Sequence, residues 1–121
     1  MKFTSTLALA LLAGASLATP AMAECVYPKT PASPPNGNTA TKEEMLAARD
    51  AVTQYNADVD KYLGCLDEEA TKNTQDTSDE AERKKIKAIA DKKHDAAVEE
   101  LRARADEFNQ QLHVFNAKHK S

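Results

Sequence analysis

The chain has 121 residues, with 16 Lys and Arg against 19 Asp and Glu, a net charge of −3. That mildly acidic balance excludes a general nucleic-acid binder, whose footprint is a basic face. Length limits the chain to one small domain, and an aromatic content of 5 % with no Trp points to a thin core.

Residues 1–23 read as a secretory signal. Lys2 supplies the basic start, residues 7–13 a short apolar run, and Ala21-Met22-Ala23 a small-residue cleavage site. The apolar run falls short of the roughly 20 residues that a membrane span needs. Glu24 before Cys25 argues against a lipid-attachment cysteine. Cleavage after Ala23 leaves 98 residues with a net charge of −4, in the periplasm or secreted, with no transmembrane segment.

Residues 24–40 hold Pro28, Pro31, Pro34 and Pro35. The first three recur every third residue, which places them on one face of a polyproline II segment. Pro35-Asn36-Gly37 should end that segment as a turn, with Gly37 free to take a positive φ.

A first helix is expected over about 42–69. Thr41 and Glu44 form a capping box at its start. Met45, Val52, Val59 and Leu66 lie seven apart, with Ala48, Tyr55 and Tyr62 between them. This heptad pattern implies a coiled-coil-like seam. Residues 71–77 carry no apolar side chain and read as the connecting turn, after which Thr77 or Ser78 can cap a second helix.

That second helix is expected over 78–118, free of Gly and Pro. Ile86, Ala97 and Phe108 are eleven apart, as are Ala90, Leu101 and Leu112, a period that tracks a nearly straight helix. The fold class is therefore all-α: an antiparallel two-helix hairpin in a single domain, with a Pro-rich segment packed on the first helix.

An even number of cysteines in an exported chain points to a bond between Cys25 and Cys65, rather than free thiols or a bond to another chain. Lengths agree with that bond. Helix residues 41–65 rise about 36 Å, and residues 25–37 in polyproline II cover about 37 Å. In that register Tyr62 and Tyr55 fall between the prolines, where their rings would pack against stiff pyrrolidines.

Prolines three apart (Pro28, Pro31, Pro34) set against tyrosines seven apart (Tyr55, Tyr62) resemble the polyproline–α-helix hairpin of the pancreatic-polypeptide hormones, in packing logic and over residues 25–66. The stretch Pro34-Pro35-Asn36-Gly37, Thr41-Lys-Glu-Glu-Met45, Tyr55, Tyr62 and Cys65-Leu66 is similar to a group of small uncharacterised exported proteins of Gram-negative bacteria. That likeness implies a helical hairpin in the periplasm and carries no catalytic residue, ligand or cofactor.

Chemistry-bearing residues do not converge. His94, His113 and His119 show no i, i+4 pairing, and Cys-x-x-Cys, phosphate loops and nucleophile elbows are missing. Arg83-Lys84-Lys85 and Lys92-Lys93 sit among acidic neighbours and read as a solvated face.

The functional clue at this level is geometric. A turn near residue 74 would set Tyr62 opposite Ile86 and Met45 near Leu101 and Arg104. The second helix would then run on past the first by about 15 Å. That overhang carries an apolar stripe of Phe108, Leu112 and Phe115, covered by the proline turn or offered as a contact surface. The expected function is non-enzymatic: a structural or protein-interaction role of the small holdase or envelope-stress type. A protein partner or a second copy would bind through the C-terminal helix. The alternative is a ligand- or metal-binding protein using His113 and His119 on that helix.

Overall fold

The computed structural model describes residues 24–120, so the signal-like segment and its cleavage site lie outside the described residues. Two helices form an antiparallel pair, α1 (Lys42–Gln75) and α2 (Glu80–His119). Residues 24–36 are neither helix nor strand and act as a strap tied to α1 by the Cys25–Cys65 disulfide.

The capping box forms at the start of α1. The Thr41 hydroxyl accepts from the Glu44 amide at 3.2 Å, and the Glu44 carboxylate accepts from the Thr41 amide at 2.8 Å. The heptad residues face inward: Met45, Tyr55, Val59, Tyr62 and Leu66 are buried. Gly64 is exposed on this helix, with open space where a Cβ would stand. Gly64→Ala should therefore stabilise the protein by about 1 kcal/mol, read as a raised urea midpoint, because alanine has less backbone freedom to lose on folding.

The connection differs from the sequence expectation. Residues 71–75 continue α1 instead of turning. Polarity alone does not stop a helix, and no Gly or Pro is present here. The Thr74 hydroxyl donates back to the Ala70 and Thr71 carbonyls at 2.9 and 2.8 Å, an arrangement compatible with helix. The link is short, and Asp79 rather than Thr77 or Ser78 caps α2, its carboxylate accepting from the amides of Ala81 and Glu82. Thr77 works two residues outside the cap, accepting from the Asp79 amide through its hydroxyl and from Arg83 Nε through its carbonyl.

The longer α1 moves the register. Val59 and Tyr62 share a cluster with Ala97, and Met45 shares one with Phe108, not with Leu101 or Arg104. The core is correspondingly split. One cluster, Tyr55, Val59, Tyr62, Leu66 and Ala97, sits beside the disulfide. The other, Ala40, Met45 and Phe108, sits under the turn that ends the strap.

That turn is pinned to α2. Asn36 O accepts from the amides of Thr39 and Ala40, and Asn36 Oδ1 accepts from the Asn38 amide. The Gly37 amide donates to Gln111 Oε1 at 2.8 Å, and Lys118 Nζ donates to the Asn38 carbonyl. Gly37 does not take a positive φ. It is glycine for another reason: a Cβ there would stand 2.2 Å from the Gln111 carbonyl oxygen and 2.8 Å from the Phe115 nitrogen. The turn lies flat on helix backbone.

Candidate interaction surface

The strap lies against both helices. Tyr27 stacks edge-on against Tyr62 with ring centroids 5.2 Å apart, and its hydroxyl shares a 3.0 Å hydrogen bond with the Tyr55 hydroxyl. Glu100 of α2 acts electrostatically on the same phenol. Further along, Ser33 and Pro34 line a small depression with Glu107, Gln110 and Gln111 of α2. The strap thus follows a groove between the helices, from Cys65 to the C-terminal part of α2. Tyr55 and Tyr62, expected to pack under the strap, are buried, and Pro28, Pro31 and Pro34 are half-buried. Tyr27, which sequence reasoning passed over, is 40 % exposed and bridges the two α1 tyrosines.

Burial and the Tyr55 hydroxyl push the Tyr27 phenol well above the usual tyrosine range. A group that ionises less readily in the folded protein stabilises it below its unfolded pKa, near 10, and that stability is lost as pH rises further. Thermal melts from pH 8 to 11 should therefore fall faster for the natural chain than for Tyr27→Phe. Identical slopes would mean that the phenol does not contribute.

Of the two states open to the apolar stripe, covered by the proline turn or offered as a contact surface, the structure shows the covered one. Phe108 is only 8 % exposed, and Leu112 and Phe115 are half-buried against Ala40, Met45 and Phe108. The shifted register gives Phe108 to Met45, and the Gly37 turn covers what lies beyond. The histidines are dispersed. His119 stacks on Phe115 with centroids 4.1 Å apart, and its Nδ1 lies 2.8 Å from the Phe115 carbonyl oxygen; His113 is exposed. His94 Nδ1 lies 3.7 Å from an Asp95 carboxylate oxygen. Among the described residues, no group of three or more His, Cys, Asp or Glu is placed to hold a metal ion, and no helix is long and apolar enough to cross a membrane.

The open surface is at the opposite end. The strap enters the interhelical groove at Cys65, yet α1 continues to Gln75 and α2 begins at Glu80. From Leu66 to the connection the described residues form two helices without a third layer. Here a groove of about 170 Å³ runs between Leu66, Glu69, Ala70 and Asn73 of α1 and Ile86, Ile89, Ala90 and Lys93 of α2. Ile89 is 47 % exposed on its edge. One carboxylate oxygen of Glu69 is buried without a hydrogen-bond partner among the described residues. Glu69 and Asn73 also line the adjoining cavity beside the disulfide, with Glu24 and Glu68. The signal for this site was present in the sequence: a staple at Cys65 leaves bare whatever helix follows it.

Comparisons with family models, curated proteins and solved structures gave no match.

Proposed function

We propose that this is an exported, non-enzymatic protein of the periplasm or the secreted space that works by contact with another polypeptide, at the open groove of the hairpin tip. The observation that carries the reading is the incomplete strap. Among the described residues it covers the groove over the C-terminal part of α2 and stops at Cys65, leaving half-buried Ile86 and exposed Ile89 beyond it. An apolar groove edged by polar side chains on a small protein serves contact better than it serves stability. The disulfide and the signal-like first 23 residues support an oxidising compartment, as does the resemblance to small exported proteins of Gram-negative bacteria. In this reading the strap is a polyproline II segment and the heptad from Met45 to Leu66 is a coiled-coil-like seam. The interaction role assigned to the C-terminal helix moves to the first turns of α2.

Photo-crosslinking in living cells tests this. A photoreactive residue at Ile89 should give adducts several-fold more abundant than one at Leu46, which is also exposed but lies at the covered end. Equal adducts at both positions, or none at Ile89, would refute it.

A further inference from the structure

We infer that the occupant of the tip groove is the tip of a second copy of this chain, packed about a two-fold axis as a short four-helix bundle. The inference rests on the contact role proposed above and names its partner.

Charge selects the partner. Residues 66–76 of α1 carry four acidic side chains against one basic, a net of −3, whereas residues 80–93 of α2 carry six basic against three acidic, a net of +3. Of the residues that line the groove, Glu69 charges the α1 wall and Lys93 the α2 wall, each within a helix segment of its own sign. A two-fold axis through such a groove can set α1 against α2 of the other copy, acidic wall on basic wall. Setting α1 against α1 would oppose like charges, so the pattern also fixes the arrangement. A strongly anionic or cationic partner would satisfy one wall and be repelled by the other.

The residues at the rim give the same answer. Glu69 stands on one wall of the groove and Lys93 on the other. Its buried carboxylate oxygen has no hydrogen-bond partner among the described residues, an expensive condition for a carboxylate. In the two-fold arrangement Glu69 meets Lys93 of the partner subunit, and the axis repeats the pair. Ile89, half in water in the single chain, then packs on its own symmetry mate or beside it. The ion pairs already on α2, Lys84 with Glu80 at 3.8 Å and Lys87 with Asp91 at 3.2 Å, are exposed and cost little to rearrange.

Sedimentation equilibrium of the exported protein, with its N-terminus established by mass, provides the test. A reversible monomer–dimer equilibrium is expected. Ile89→Glu should weaken it about tenfold or more, as should Lys93→Glu alone and Glu69→Lys alone. The double exchange Glu69→Lys with Lys93→Glu should restore it to within about threefold, because the pair is re-formed with its signs reversed. Circular dichroism of each variant checks that both helices persist. A monomer at every concentration up to about 1 mM overturns the inference. So does a dimer that Ile89→Glu leaves intact, or a double exchange as weak as the single ones. Adducts at Ile89 to a different protein, with a strictly monomeric chain, would overturn the dimer and leave the contact role standing. Binding of anionic lipid vesicles by the monomeric chain would count against it in the same way.

Discussion

Replacing Gly37 by alanine should destabilise the protein by about 3 kcal/mol, lowering its melting temperature by roughly 15 °C. The added Cβ would stand 2.2 Å from the Gln111 carbonyl oxygen. Both close neighbours are backbone atoms in the C-terminal part of α2, so neither can swing away as a side chain would. The turn must lift instead. Lifting breaks the hydrogen bond from Gly37 to Gln111 and the one from Lys118 to Asn38, and it uncovers Ala40, Met45 and Phe108. The loss is then partly steric and partly the exposure of an apolar cluster. ANS fluorescence should rise in the same variant, since Phe108, Leu112 and Phe115 become reachable. A melting point within about 2 °C of the natural chain would mean that the turn does not rest on α2 as described.

Reduction of the Cys25–Cys65 bond should cost about 4 kcal/mol, the value that the chain-entropy account assigns to closing a loop of this length. The two cysteines are 40 residues apart in sequence. The effect should be large in practice because the core is thin and divided. Beside the disulfide, Tyr55, Val59, Tyr62, Leu66 and Ala97 are the buried cluster among the described residues, and small cores rarely leave much surplus stability. Freed from Cys65, the strap keeps the Tyr27 contacts, its half-buried prolines and the Gly37 turn, but loses its covalent tie. Urea unfolding with and without reductant measures the difference, and Cys25→Ser should match the reduced protein. A difference below about 1 kcal/mol would show that the tyrosine packing holds the strap without the bond.

Much of this architecture was legible in the sequence. The heptad from Met45 to Leu66, the Thr41–Glu44 box and the even cysteine count each have a direct physical consequence, and each appears in the structure. The connection was not legible, because a polar run without Gly or Pro is compatible with helix as well as with a turn. Thr74 back-bonding and the Asp79 cap settle the matter only in three dimensions. That local difference had a long reach. Moving the turn along the chain re-paired the α1 residues with new partners on α2, and it exchanged which end of the hairpin is bare. Phe108 looked unpartnered while Met45 was assigned to Leu101; given Met45 and the Gly37 turn, it is core. Gly37 itself was read as a conformational need, whereas its need is spatial. Tyr27 went unnoticed because it belongs to no periodic pattern; a single aromatic bridging two prescribed ones has no signature in spacing.

One picture now connects these observations. The strap and its disulfide complete the hairpin from Cys65 to the C-terminal part of α2, and among the described residues the tip is two helices with an open groove. Hydrogen–deuterium exchange on the dilute oxidised protein tests that picture most directly. Amides over residues 52–66 and 97–112 should exchange slowest, those over 68–76 and 80–90 markedly faster, and reduction should speed the first group most. A tip as protected as the strapped region, or fast exchange over 108–115, would contradict it.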